Sequence, residues 1–254
     1  MKYAQLIIGL LAGTALGGSV VAATGNSIGG GKAMNEDQIR QIVRKTISDE
    51  PQLLIESVQK YQQQMQEKHA ANASDALKDA AVREQVFHDK NAAHFGPKDS
   101  AHTLVEFFDY NCGACKFMFK TVQELAAKDK QLHVVFHEYP IFGPQSDTNA
   151  KIGIAVNRLY PEKYFDFHVK MMGSEGHTNE AQALEMAKSL GMDEKKIKAE
   201  SVKPDVMAVI DANRKLGEKL GIQGTPTLVI GNEVIGHALS PEDVEARFAK
   251  GEGK

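Results

Sequence analysis

The chain has 254 residues, 42% of them hydrophobic and 25% charged, with a formal net charge of −3 at pH 7. This is a globular composition, long enough for one large domain or for an ordinary domain plus an appendage. The charge balance gives no electrostatic ground for a nucleic-acid partner.

Residues 1–23 read as a secretory signal: Lys2 supplies positive charge, Leu6 to Leu16 an apolar core, and Val21-Ala22-Ala23 a small-residue cleavage site. Gly9, Gly13, Gly17 and Gly18 interrupt the apolar run, which falls short of the ~20 residues a membrane span needs. No cysteine lies near the cleavage site to take a lipid. Residues 24–33 are Gly-rich and read as a flexible leader. An N-terminal helical region over residues 34–85 follows. Asn35 with Gln38 forms a capping-box pattern, and Ile39, Ile42, Val43 and Ile47 share one helical face. Ser48-Asp49-Glu50-Pro51 is a second start signal, after which Leu54, Val58, Tyr61 and Met65 form a brief heptad-like seam. From Tyr61 to about Ala81 the text is helix-favouring but polar, with few residues large enough to anchor a core. It either folds against its own domain or pairs with another copy of itself, and the pairing arm is the expectation.

His94 to Ser100, with Gly96-Pro97, reads as a linker or turn, and Thr103-Leu104-Val105-Glu106-Phe107-Phe108 as a buried strand. A helix over Lys116–Lys128 and a strand over Leu132–Phe136 complete a parallel crossover. Ser146 to Leu220 is helical in character, punctuated by Pro161, Gly173, Gly176, Gly191 and Pro204, and predicts about four helices. Thr227–Ile230, the turn Gly231-Asn232 and Glu233–Ile235 predict a hairpin, and Ser240-Pro241 opens a final helix.

Export sends the chain to an oxidising compartment, yet a chain this long with only two cysteines has little need of staples. The pair forms Cys112-Gly113-Ala114-Cys115, and so short a loop yields little entropic stabilisation, so it reads as chemistry. Only a thiolate attacks a disulfide. Cys112, between a strand and the following helix, faces unpaired helical N–H groups that favour its anion, which makes it the expected accessible nucleophile. Cys115, one turn later and more buried, suits the resolving role. The pair is also half of a structural zinc site, but no second pair completes it, and His88 and His94 lack ligand spacing. A monovalent copper ion on the two thiolates stays open as an alternative. No cofactor is expected beyond the redox-active disulfide Cys112–Cys115. Glu106, on an otherwise apolar strand, is a candidate proton acceptor with a raised pKa if it faces inward.

The segment Val105-Glu106-Phe107-Phe108-Asp109-Tyr110-Asn111-Cys112-Gly113-Ala114-Cys115-Lys116 resembles the active-site segment of the DsbA-like thiol–disulfide oxidoreductases of the bacterial periplasm. Gly224-Thr225-Pro226-Thr227 is similar to the loop holding that family's cis-proline, and the resemblance runs from Ala101 to Ala249. It implies an α/β thioredoxin fold over 86–254 with a helical subdomain inserted at about 145–222, preceded by the N-terminal helical oligomerisation segment. It also implies a cis Pro226 beside Cys112, Thr225 pairing with an extended substrate strand, and Glu106 serving Cys115 as base. Gly113 and Ala114 then sit at the substrate surface. Strongly oxidising relatives carry Pro-His between their cysteines, so Gly113-Ala114 implies a less oxidising disulfide. The N-terminal extension resembles the oligomeric ScsC kind, with the DsbC and DsbG isomerases as functional analogues. The expected function is a periplasmic disulfide isomerase with some oxidase activity. The alternatives are a dedicated monomeric dithiol oxidase and a non-enzymatic copper-binding or chaperone protein. The implied partners are unfolded or misfolded secreted proteins, a membrane redox partner of the DsbB or DsbD type, and a second copy of the chain in a homodimer, with a homotrimer as the alternative.

Overall fold

The computed structural model describes residues 35–98 and 100–251, and the expected signal and leader lie outside them. The chain divides into a unit ending at Glu56 and a second beginning at Ser57.

In the first unit, α1 (Glu36–Asp49) starts from a complete capping box between Asn35 and Gln38. Ile39, Ile42, Val43 and Ile47 are all about half exposed on it, and α1 buries no residue. Helix α2 (Pro51–Ala76) begins here, with Leu53, Leu54 and Ile55 exposed, and continues into the second unit, where Val58 and Tyr61 are exposed and Met65 is half-buried.

The second unit is built on a five-stranded sheet in the order β1-β3-β2-β4-β5: β1 (Ala93–Phe95), β2 (Thr103–Phe108), β3 (His133–Glu138), β4 (Thr227–Ile230) and β5 (Glu233–Ile235). Strands β2 and β3 are parallel, as the crossover requires, and the other pairings are antiparallel. Every residue of β2 and β3 is buried, because both faces of the sheet are covered. On one face Leu104, Phe108, Val134 and Phe136 meet α4 (Gly113–Lys128) and the inserted helices. On the other, Val105, Phe107 and Val135 pack with Leu77, with Val82, Val86 and Phe87 of α3 (Ala80–Phe87), and with Leu216 and Leu220. The expected boundary at residues 85/86 therefore cuts through a packed layer: Leu77 and Val82, placed on the N-terminal side, belong to this core with Val86.

Two expectations are corrected. The stretch read as a linker from His94 carries β1, a three-residue edge strand held by pairing with Val134–Phe136 rather than by local propensity. Its end at Gly96 does require glycine: φ is +84°, and a Cβ there would meet the Leu132 carbonyl oxygen at 1.9 Å. The insertion holds five helices, not four: α5 (Pro144–Leu159), α6 (Tyr164–Met172), α7 (Glu180–Ser189), α8 (Glu194–Ser201) and α9 (Pro204–Lys219). The reason lies in the punctuation, since breaks at Pro161, Gly173 to Gly176, Gly191 and Pro204 make five segments. The chain closes with α10 (Pro241–Ala249), capped by Ser240.

Candidate active site

Strand β2 ends at Phe108, and three consecutive side chains then fasten the turn into α4. Asp109 accepts the backbone N–H groups of Asn111 (2.8 Å), Ile141 (2.8 Å) and Phe142 (3.1 Å). Tyr110 points into the core among Tyr164, Phe167 and His168. Asn111 accepts from the Thr178 N–H at 2.7 Å and donates toward Ser146 Oγ at 3.3 Å. On the far side of the cysteines, Lys116 Nζ donates to the carbonyls of Ser174 (2.8 Å) and Gly176 (2.6 Å). The loop between α6 and α7 thus grips the redox turn at both ends. Sequence reasoning assigned nothing to Asp109, Tyr110, Asn111 or Lys116, though a run of polar residues leaving a buried strand is a signal that could have found them.

Cys112 is the N-cap of α4, and its sulfur accepts the Cys115 N–H at 3.4 Å. Both cysteines are free thiols. A donor from the Cys115 side chain holds the Cys112 thiol down at about 6, against partial burial, with help from the Thr225 side chain and the N–H groups of Cys115 and Ala114. Burial pushes the Cys115 thiol far up, and both Cys112 and the charge of Glu106 add to the rise. The expectation of an accessible Cys112 needs correction, because the residue is only 3% exposed. The loop before β4 covers it: the Cys112 thiol donates to the Thr225 carbonyl at 3.2 Å, and Pro226, joined to Thr225 by a cis peptide bond, is buried beside it in sequence. Gly113 and Ala114 are exposed, and a Cβ on Gly113 would meet nothing within 4 Å.

Glu106 is fully buried, and neither of its carboxyl oxygens has a hydrogen-bond partner among the described residues. Burial raises its pKa to about 8, with a contribution from Cys112. Cys112, Cys115, Thr225 and Glu106 thus form one electrostatically connected group. The hydroxyl of Thr225 is likewise buried, and it acts on the Cys112 sulfur without reaching full hydrogen-bond geometry. His94 lies away from the cysteines, its ring nitrogens 3.1 Å from His133 Nε2 and 2.9 Å from the Asp89 carbonyl. Among the described residues no three His, Cys, Asp or Glu side chains are grouped to hold a metal ion. No helix among them is long and apolar enough to cross a membrane.

The thioredoxin family matches residues 88–248. Disulfide bond formation protein D of Bacillus subtilis (strain 168) is 25% identical over 170 residues, 61% of this chain and 74% of that protein. A thioredoxin-like oxidoreductase from Silicibacter pomeroyi DSS-3 is 33% identical, covers 66% of this chain and 98% of its own, and superposes with a TM-score of 0.61. The catalytic domain of Proteus mirabilis ScsC is 25% identical over 71% of this chain and 99% of its own, with a TM-score of 0.63. A match over most of the chain and a sheet that delivers two unlike thiols to one helix start agree on the assignment: the chain belongs to the thioredoxin family, as a DsbA-like thiol–disulfide oxidoreductase.

Proposed function

We propose that the protein exchanges disulfides in secreted polypeptides outside the cytoplasm, with Cys112 as the attacking thiolate and Cys115 as the thiol that resolves the mixed disulfide. The observation that carries this reading is the asymmetry of the pair: Cys112 is held near 6 while Cys115 is pushed far up. In the first step the Cys112 thiolate attacks one sulfur of a substrate disulfide, and the other sulfur leaves as a thiolate. In the second, Cys115 gives its proton to Glu106 and attacks Cys112, releasing the reduced substrate and leaving the Cys112–Cys115 disulfide. Reversed, the sequence oxidises a substrate dithiol. Thr225, on the N-terminal side of the cis bond, offers its backbone groups to an extended substrate strand, and Gly113 and Ala114 leave room for it.

Within this reading the protein is a disulfide isomerase with some oxidase activity, assembled as a homodimer or homotrimer through α1 and the first turns of α2. The half-exposed Ile39, Ile42, Val43 and Ile47 and the exposed Leu54, Val58 and Tyr61 support the assembly. Joined catalytic domains raise the effective concentration of thiolate around a misfolded substrate, which isomerisation needs and a single oxidation does not. A dedicated oxidase is the second reading, favoured by the name of the Bacillus subtilis relative. A membrane redox partner of the DsbB type fits the oxidase and one of the DsbD type the isomerase. Recovery of scrambled ribonuclease, compared with oxidation of a dithiol peptide, separates the two. Both activities vanish in Cys112→Ala on the proposed assignment, and retention of either would overturn it.

A further inference from the structure

The redox turn rests on a second buried acid that the exchange chemistry does not use. On strand β3, Val134, Phe136 and Glu138 point to the same face as Leu104, Glu106 and Phe108 of β2, and Glu138 pairs in register with Phe108. Glu138 is 5% exposed, and neither carboxyl oxygen has a hydrogen-bond partner among the described residues. The hydroxyls of Tyr110 and Tyr164 face it without reaching full hydrogen-bond geometry. Those hydroxyls lie 3.3 Å apart, and each is 3.4 Å from Nδ1 of His168. Beside Glu138 and Tyr164 a cleft of about 10 Å³ is lined further by Gly153, Asn157, Asn213 and the exposed Asn91. That is room for a single water, with polar groups to bind it.

Gly153 shows how tightly the arrangement is built. It stands inside α5, where glycine costs about 1 kcal/mol relative to alanine. A Cβ there would meet Glu138 Oε1 at 2.2 Å and Tyr110 Oη at 2.8 Å. The helix gives up a side chain at the point where the carboxyl and the phenol converge. Tyr110 stands two residues before Cys112, whose backbone N–H closes the turn onto the Asp109 carbonyl at 3.0 Å. Displacing the Tyr110 ring therefore moves the start of α4.

We propose that Glu138 is a positioning residue for the redox turn: its carboxyl group, set against Gly153 and facing the Tyr110 and Tyr164 hydroxyls, fixes Tyr110 and through it the Cys112 end of α4. The group works as a neutral acid. Burial pushes its pKa well up, the charge of Asp109 pushes the same way, and the two tyrosine hydroxyls oppose it. The neighbouring His168 is held neutral by burial, at about 3, so no cation faces the acid there. A carboxylic acid can donate as well as accept, which a carboxylate cannot.

The proposal rests on Cys112 as the attacking thiol, and the test keeps the two claims apart. In the full chain, Glu138→Ala and Gly153→Ala are compared with Glu138→Gln, which keeps a neutral donor and acceptor. The readouts are the pH profile of Cys112 alkylation, mapped by mass spectrometry, and the equilibrium constant with glutathione. The alanine variants are expected to shift both by on the order of threefold or more, and Glu138→Gln to stay within about twofold of the parent. A folded Glu138→Ala protein with parental values of both would overturn the proposal. Where the alanine variants do not fold, infrared difference spectra decide. At pH 6 the parent should show a protonated-carboxyl band that is lost in Glu138→Gln and retained in Glu106→Gln, and absence of that band overturns the neutral-acid role. Alkylation appearing first at Cys115 would instead sink the nucleophile assignment, whatever the Glu138 band shows.

Discussion

Titrating the reduced protein puts the polarity of the thiol pair to its sharpest test. With Cys112 at about 6 against an ordinary thiol at 9.0, roughly 90% of it is thiolate at pH 7, where an unshifted thiol would be about 1% ionised. The depressed value stabilises the folded reduced protein fully above the unfolded pKa of 9.0, and that contribution disappears as pH falls through about 6. At pH 7 only the interval between 6 and 7 counts, which is about 1.4 kcal/mol. Screening by solvent near the sulfur trims this to about 1 kcal/mol, or roughly 20 mV toward the oxidising side for a two-electron couple. That is small beside the ~150 mV between a thioredoxin-like and a DsbA-like potential, so a disulfide of intermediate oxidising power is expected. The assay is iodoacetamide alkylation of reduced protein from pH 4 to 9. The rate should fall about tenfold per pH unit below the midpoint near 6 and level off above pH 7. A midpoint near 9, or a reduced form whose melting temperature relative to the oxidised form does not rise between pH 6 and 9, would refute the reasoning.

Glu106→Gln should raise stability at pH 7 by about 3 kcal/mol, because a carboxyl raised from 4.5 to about 8 costs about 1.4 kcal/mol for each pH unit between 4.5 and 7. It stabilises folding only below 4.5, and that contribution is lost as pH rises through 8. Thermal melts at pH 4 and pH 7 check the sign, and mixed disulfides with a model peptide should resolve roughly tenfold more slowly or worse. Thr225→Val removes a hydroxyl that helps hold the Cys112 thiol down. The alkylation midpoint should rise by about half a pH unit, and an unchanged midpoint would leave the Cys115 side chain and the N–H groups of the helix start as the sources of the shift. Ile42→Glu with Leu54→Glu, both on exposed apolar positions, should reduce the mass found by light scattering to that of one chain while sparing dithiol oxidation. Scrambled-ribonuclease recovery that persists in such a monomer would promote the oxidase reading.

The sequence carries most of the frame because its strongest elements are locally consistent. Six consecutive residues, Thr103–Phe108, suit a buried strand and form β2 from end to end. Gly231-Asn232 sits between β4 and β5 where the hairpin turns, and the caps at Asn35 and Ser240 start their helices as read. What stayed hidden depends on distant pairing. Strand β1 exists because Ala93–Phe95 finds the free edge of β3. Reading β3 to end at Phe136 lost His137 and Glu138, whose polarity looks like a strand end until both faces are seen to be covered. Inward alternation from Val134 through Phe136 would have placed Glu138 on the face that carries Glu106. The cover over Cys112 comes from Thr225, more than a hundred residues away in the chain, and no local pattern could have shown it.

One helix start treats the two thiols in opposite ways, and this separates the two halves of the proposed exchange. Cys112, at the cap, is stabilised as an anion first by the Cys115 side chain and then by the N–H of Cys115, and is ionised before substrate arrives. Cys115, one turn inside, gains nothing from the helix end and bears the full cost of burial. Attack is then governed by the Cys112 environment, whereas release waits for Cys115 to lose a proton to Glu106, whose value near 8 leaves it partly able to accept one at neutral pH. Substitutions at Thr225 should alter the first rate and those at Glu106 the second. A mixed disulfide that forms readily and resolves slowly is what an isomerase requires, since the trapped substrate must have time to offer another of its own thiols before Cys115 ends the encounter. The burial that handicaps Cys115 is, on this argument, what gives a misfolded substrate its chance to rearrange.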